Sequence, residues 1–142
     1  MSEQNKALAR RFFLEVCDGR KPAVADEIFS AAHRYVDPAS PGIPPGPGGM
    51  KVLSSTYYTA FADAHWTVDE QIAAGDVVVT RWTGSGTQTA ELMGIPATRR
   101  SVKVQGIAFQ RIRDGRIVET ENLWDALGML RQLGVVPELA AK

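Results

Sequence analysis

Residues 101–124, SVKVQGIAFQRIRDGRIVETENLW, contain the pattern that decides the fold. Asp114-Gly115 lies between two runs rich in Val and Ile, and an Asp-Gly pair in that setting is a strong signal for a two-residue β-hairpin turn. We therefore expect one strand over Arg100–Arg113 and the next over Arg116–Trp124. Because side chains alternate between the two faces of a strand, each of these strands presents one face to an interior and one away from it.

The rest of the chain supplies two more strands, with helices on either side of them. Strands are expected over His65–Ala73 and Asp76–Thr89, joined by a turn at Gly75-Asp76. The remaining predicted elements are helices over Asn5–Asp18, from Pro22 through Phe29, over Gly49–Ala62 and around Leu127, Leu130 and Leu133, and a short strand over His33–Asp37. This order predicts one α+β domain over residues 1–142. A curved antiparallel sheet, shaped like a cone or barrel, has helices covering one face and enclosing a hydrophobic pocket.

Composition and charge exclude several classes of function. The chain has 142 residues, with 16 basic and 16 acidic side chains and a formal net charge of +0, so neither nucleic acid nor a membrane surface is an expected partner. The N-terminus lacks an apolar signal core and no apolar run is long enough to span a membrane, which predicts a cytoplasmic protein. Cys17, His33 and His65 have no metal-site spacing, so no metal or other cofactor is expected. Both histidines begin predicted strands, where a half-exposed ring is common.

Residues 38–49 are rich in proline and glycine, which excludes regular structure there. Ile43 is the apolar residue at the centre of this loop. Two interpretations are open: the loop is a lid that brings Ile43 to a bound ligand, or it is a stiff connector.

Several short motifs occur in the order and spacing of one known family. They are Ile43-Pro44-Pro45-Gly46, Gly75-Asp76 with Arg81-Trp82, Met93-Gly94-Ile95-Pro96-Ala97-Thr98, Asp114-Gly115-Arg116-Ile117-Val118-Glu119, and Trp124-Asp125 with Arg131-Gln132-Leu133-Gly134. On these residues the chain resembles the SnoaL-like polyketide cyclase family, which has the NTF2-like fold. The resemblance implies a small, cofactor-free, oligomeric enzyme that acts on aromatic polyketides. The family's best-known reaction closes a ring by an intramolecular aldol step, and a relative of the cyclases takes part in hydroxylating an anthracycline ring carbon.

The sequence departs from the cyclases at their two acid–base positions. The aspartate of the cyclases corresponds to Asn122 here, and the assisting histidine corresponds to Ala108. Neither side chain accepts a proton, whereas enolisation requires a general base within hydrogen-bond reach of the substrate. The departure favours cofactor-independent hydroxylation over aldol closure, because an ionised polycyclic phenol can itself pass an electron to oxygen. A separate reductase is then a candidate partner.

Nine side chains are candidates for the site. As catalytic groups we expect Asn122 and Arg81 to stabilise negative charge on a substrate oxygen, and Asp37 to act as a substitute base at the pocket mouth. The expected substrate-binding residues are Trp124, Thr120, Ala108, Gln110, Tyr57 and Ile43. Structural alternatives stay open: a satisfied amide at Asn122, core packing at Trp124 and Tyr57, a turn at Asp37, and pairing of Arg81 with a glutamate.

Two other hypotheses remain beside hydroxylation. One is a cyclase or isomerase with a relocated base, for which Asp37, His33 and Glu121 are the candidates. The other is a binding or oligomeric module without catalysis. In any case a homodimer or higher homo-oligomer is expected, because the outward-facing set Gln105, Ile107, Phe109 and Leu123 is largely apolar.

Overall fold

The computed structural model describes residues 2–137, and within that range five strands and four α-helices are present. The helices are α1 (Ser2–Arg11), α2 (Ala23–Ile28), α3 (Pro47–Ala60) and α4 (Ala126–Leu133). The strands are β1 (Phe29–Val36), β2 (His65–Ala74), β3 (Val77–Thr87), β4 (Ser101–Arg113) and β5 (Arg116–Trp124). They form one sheet in the order β1-β5-β4-β3-β2. The sheet is curved and does not close into a barrel, which confirms the predicted α+β fold in its open form.

The hairpin of β4 and β5 confirms the prediction made from Asp114-Gly115. Both turn residues have positive φ, 51° at Asp114 and 73° at Gly115, as a type I′ turn requires. Burial alternates along almost the whole of β4, so every second side chain faces the interior. The register sets Ala108 of β4 opposite Asn122 of β5, and this pairing fixes which part of each strand faces the cavity.

Strand β1 is longer than predicted, and it runs parallel to its neighbour in the sheet. It begins at Phe29, which the sequence had assigned to a helix, and it pairs in parallel with β5. The sheet is therefore not wholly antiparallel. The register sets Val36 of β1 opposite Glu121 of β5. Asp37, which follows β1, consequently lies near Asn122 although 85 residues separate the two in sequence.

The N-terminal helix predicted over Asn5–Asp18 consists of two parts. α1 leads into a π-helical segment over Phe12–Asp18, in which the amide of Gly19 donates to the carbonyl of Leu14, five residues earlier, at 3.0 Å. π-helical turns are rare and are frequent at functional sites. This segment turns Phe12, Phe13 and Cys17 toward the concave face of the sheet.

Helix α4 confirms the last predicted helix, and only part of its apolar surface is buried. Asp125 caps its start by accepting from the amide of Gly128, and Gly134 ends it with φ 77°. Met129 and Leu133 are its buried residues, whereas Leu127 is 50% exposed and does not belong to the core. No helix within residues 2–137 is long and apolar enough to cross a membrane.

Candidate active site

A cavity lies between the concave face of the sheet and the helices, and its wall is mainly aromatic. It offers about 80 Å³ to the centres of water-sized molecules, which is room for several waters or for part of a ring system. The aromatic side chains of the wall are Phe12, Phe13, Tyr35, Tyr57, Phe61, Trp66, Trp82 and Trp124. Its amide and carboxylate groups are Asn122 and Asp37.

Gly106 on β4 makes room for two of the indoles. A Cβ atom there would lie 2.5 Å from the Trp82 ring and 2.7 Å from Trp124 Cβ, closer than side chains approach each other. With glycine in place, the two indole rings stand side by side with centroids 6.4 Å apart, and Phe13 stacks on Trp82 at 6.0 Å. These rings form flat walls that suit an aromatic ligand.

Four polar side chains of the cavity, Trp82, Asn122, Tyr35 and Asp37, form one chain of hydrogen bonds. The indole Nε1 of Trp82 donates to Asn122 Oδ1 at 3.0 Å, and Asn122 Nδ2 donates to the hydroxyl of Tyr35 at 3.1 Å. The Tyr35 hydroxyl donates to Asp37 Oδ2 at 2.7 Å. Asn122 is thus joined to the carboxylate of Asp37 through a single phenol.

Asp37 is the one acidic side chain that lines this cavity in the described part of the chain. It is buried, and its carboxylate accepts from three donors: the Tyr35 hydroxyl, Trp124 Nε1 at 3.1 Å and the backbone amide of Ala39 at 2.8 Å. The hydrogen bond to Ala39 organises the turn before the loop, which is the structural role considered for Asp37 in place of a base. A carboxylate offers about four acceptor positions, so one remains on Oδ1.

The two cavity tyrosines are neutral hydrogen-bond donors. Burial, and the hydrogen bond to Asp37, hold the pKa of Tyr35 far above its ordinary value of 10.0. Burial also raises the pKa of Tyr57. Both phenols therefore keep their protons at neutral pH.

Three other predicted residues are buried behind the cavity and do not line it. Ala108, Gln110 and Thr120 face the interior, as alternation predicted, but they lie further from the open end. Thr120 is hydrogen-bonded to Gln110 at 3.2 Å and to His33 at 2.8 Å. Ile43 does not line the cavity either, because it packs against the core beside Gly49 at the start of α3.

Arg81 does not reach the cavity. Its side chain lies on the outer face of the sheet, 45% exposed, and donates to Glu70 of β2 at 3.2 Å. The cavity-facing neighbour is Trp82, and the expectation that Arg81 stabilises a substrate anion is corrected accordingly. The structural alternative, a pair with a glutamate, describes the contact that is present.

Two candidates for a relocated base also lie elsewhere. Glu121 is exposed on the outer face. His33 is fully buried rather than half-exposed, behind the cavity and against Phe29. Burial lowers the pKa of His33 to about 4, so its ring is neutral at physiological pH.

Tyr35 and Trp82 line the cavity although neither was predicted to do so from the sequence. A signal for each was present, because Tyr35 shares a strand face with Asp37 and Trp82 alternates with Arg81. Within residues 2–137, His, Cys, Asp and Glu form no group of three that could hold a metal ion.

Comparison with known proteins agrees with this architecture. The sequence profile of the SnoaL-like polyketide cyclase family matches residues 7–133. The chain belongs to this family. The search of curated proteins finds no match.

Solved structures place this SnoaL-like protein among NTF2-like folds. TsrD from Streptomyces laurentii has a TM-score of 0.85 and 28% identity over 94% of this chain and 97% of its own. IdmH from Streptomyces antibioticus, a candidate polyketide cyclase, has a TM-score of 0.78 and 29% identity over 93% and 99%. AclR from Streptomyces galilaeus, a candidate hydroxylase, has a TM-score of 0.83 and 21% identity over 99% and 91%, a level that shows the shared fold alone.

Proposed function

We propose that this SnoaL-like protein is an enzyme that closes a ring in a polyketide-like small molecule by proton transfer at carbon, with Asp37 as the general base. The observation that carries the proposal is the buried carboxylate of Asp37 in the cavity wall, one phenol away from Asn122. Asn122, at the position of the cyclases' aspartate, is not an acid, and Asp37 places a carboxylate near it. His33 and Glu121, the other candidates for a relocated base, do not line the cavity.

The proposed ring closure conserves atoms and electrons and needs no co-reactant. Asp37 takes a proton from a carbon next to a carbonyl, which leaves an enolate and a neutral carboxylic acid. The enolate carbon forms a bond to a second carbonyl carbon of the same molecule, and the electron pair of that carbonyl becomes an alkoxide. The alkoxide takes the proton back from Asp37. Product and substrate therefore have the same mass.

The substrate class follows from the base and from the walls. Three donors hold the carboxylate of Asp37 in place in the cavity wall, and a carboxylate base suits a C–H group that is acidified by flanking carbonyls. Alternating carbonyls of this kind are the hallmark of polyketide chains. The indoles of Trp82 and Trp124 favour a substrate that already contains an aromatic ring.

Hydroxylation of the same class of molecule stays a second hypothesis with weaker support. It called for Arg81 and Asn122 as anion-stabilising groups, but Arg81 pairs with Glu70 on the outer face. Asn122 binds Trp82 with its oxygen and Tyr35 with its nitrogen, so it acts first as a positioning residue. A separate reductase belongs to this second hypothesis only.

The proposal includes a homodimer in the cytoplasm. The strand registers set Ile72, Val79 and Phe109 in one row on the outer face, with Ile107 and Leu123 in the next row. Ile72, Ile107 and Leu123 are each more than half exposed. An apolar area of this extent on a sheet face favours cover by a second copy.

The test is product analysis by liquid chromatography and mass spectrometry. The purified protein receives an open-ring aromatic polyketide ester and, separately, a reduced anthracyclinone in air. We expect a ring-closed isomer of unchanged mass, and we expect Asp37→Asn to lower turnover by roughly 10²–10⁴-fold, the usual contribution of a general base. Glu121→Gln is the matched control, an acid removed from the outer face, and should retain full turnover.

Other products would decide for the other hypotheses. A gain of one oxygen on the reduced anthracyclinone, dependent on the protein, would overturn ring closure in favour of hydroxylation. Ligand binding without any product would favour a binding module. Circular dichroism of Asp37→Asn separates a lost base from a lost fold.

A further inference from the structure

The hydroxyl of Tyr57 is a buried polar group without a hydrogen-bond partner in the described residues. Tyr57 lies on α3 and lines the cavity, with its ring edge-on to the indole of Trp124 at 5.8 Å between centroids. The nearby hydroxyl of Ser40 lowers the pKa of Tyr57 but burial outweighs it, and no hydrogen bond of ordinary geometry joins the two hydroxyls. This contrasts with Tyr35, whose hydroxyl both donates and accepts.

An unpaired buried hydroxyl is unfavourable, so its presence calls for an explanation. Phenylalanine would pack in the same apolar surroundings without that penalty. The neighbouring Tyr58 does not line the cavity, because its ring packs under the guanidinium of Arg20 instead. A ligand oxygen is the partner that would satisfy the Tyr57 hydroxyl.

Asp37 and Tyr57 line the same cavity, and the negative charge of Asp37 raises the pKa of the phenol. A neutral O–H donor and a carboxylate base therefore face the same space. When a carboxylate removes a proton from carbon, negative charge develops on the adjacent carbonyl oxygen, and a fixed donor at that oxygen lowers the barrier.

We propose that the Tyr57 hydroxyl donates to the carbonyl oxygen of the substrate and stabilises the enolate that forms when Asp37 removes the neighbouring proton. This inference rests on the proposed function. It makes Tyr57 a catalytic residue rather than a packing residue. It also requires of the substrate a carbonyl oxygen directly next to the acidic carbon.

The test measures binding, so that it stands apart from turnover. 2-Naphthol carries a hydroxyl group on its aromatic ring whose oxygen resembles that of an enol, and naphthalene is the same ring system without it. Asp37→Asn is the background of choice, because its neutral amide resembles the protonated carboxyl of the intermediate. Quenching of the fluorescence of the three tryptophans, all of which line the cavity, reports binding.

We expect Asp37→Asn to bind 2-naphthol more tightly than naphthalene. Adding Tyr57→Phe should weaken 2-naphthol binding by roughly two- to tenfold, the usual contribution of one hydrogen bond between neutral groups. Naphthalene binding should not change. Tyr58→Phe is the matched control and should leave both affinities unchanged. Should Asp37→Asn fail to fold, the same comparison is made in the otherwise wild-type protein.

Thermal unfolding gives a second readout. Tyr57→Phe should unfold at the same temperature as the wild type or higher, because the hydroxyl makes no hydrogen bond in the protein. A clear drop in the unfolding temperature would identify a structural role for the hydroxyl and overturn the inference. Equal 2-naphthol affinities with and without the Tyr57 hydroxyl would also overturn it. So would a protein that keeps Tyr57 and binds 2-naphthol no more tightly than naphthalene. Full turnover in Asp37→Asn would instead overturn the proposed function.

Discussion

The ring of His33 is held inside the protein by one hydrogen bond to Thr120 and by contact with Phe29. Its Nδ1 has no partner in residues 2–137, and Gln110 Oε1 nearby in the same polar cluster has none either. Burial is the main reason why the pKa of His33 falls from its usual 6.5 to about 4, and the charge of Glu119 opposes that fall only in part. The folded protein therefore favours the neutral form of the His33 ring over the protonated form.

This linkage predicts an acid sensitivity that belongs to His33. Below pH 6.5 the unfolded chain binds a proton on the ring, while the folded protein binds it only near pH 4, so stability is lost as the pH falls between these values. His33 should lower the free energy of unfolding by roughly 2 kcal/mol between about pH 7 and about pH 4.5. Urea unfolding at both pH values measures the difference.

The variant His33→Gln should lose that part of the pH dependence, whatever its absolute stability. The same pH dependence in His33→Gln as in the wild type would contradict the role of His33.

Among single residues, four that the sequence predicted to face the pocket do line the cavity: Asp37, Tyr57, Asn122 and Trp124. Arg81 was misplaced because β3 is apolar on both faces. Alternation groups Arg81 with Val79, and Trp82 with Val78, but it does not say which group faces the concave side. That choice depends on the curvature of the whole sheet.

Among the structural elements, the joint between the proline-rich loop and α3 is where the packing most clearly requires a glycine. A Cβ atom on Gly49 would overlap the carbonyl oxygen of Pro44 and lie 2.9 Å from Ile43 Cγ2. One on Gly48, the preceding residue of the same helix, would meet nothing within 4 Å. The loop between Asp37 and α3 therefore packs tightly onto Gly49 and not onto Gly48.

Two alanine substitutions test this joint. Gly49→Ala should lower the free energy of unfolding by about 1–3 kcal/mol, because the overlap involves backbone. Gly48→Ala is the matched control and should leave stability unchanged or raise it by up to about 1 kcal/mol, as alanine is the better helix former. Denaturant midpoints of the two variants give the comparison, and equal midpoints would contradict the tight packing.

The elements that the sequence predicted well are those formed by local interactions. The hairpin at Asp114-Gly115 needs only its own turn and the two strands beside it, and β5 has the predicted bounds. β1 was predicted too short because its pairing with β5 joins distant parts of the chain. The π-helical segment was also missed, since its apolar spacing is compatible with an ordinary α-helix.

At the scale of the whole molecule, the outer face of the sheet predicts the oligomeric state. Light scattering at micromolar concentration should give the mass of a dimer, because the apolar rows around Ile107 and Leu123 are exposed in the single chain. Ile107→Glu should raise the dimer dissociation constant by roughly tenfold or more, since two-fold symmetry places each change in the interface twice.

Leu127→Glu is the control for that substitution. Leu127 is equally exposed, at 50%, but lies on α4 rather than on the sheet face. It should leave the dimer intact. A wild-type protein that is monomeric at micromolar concentration would contradict the predicted interface.

The parallel pairing of β1 with β5 has a consequence for the ancestry of the site. Because both strands run toward the cavity, a carboxylate just after β1 and one near the end of β5 reach the same neighbourhood. Under the proposed function, an ancestor with acids on both strands would have kept its chemistry while either one was lost. In such a history, what is inherited is an acid somewhere in the pocket, and not an acid on one particular strand. Under the same proposal, a search for SnoaL-like enzymes that requires an acid on β5 would pass over this chain, whereas inspection of both strand ends would retain it.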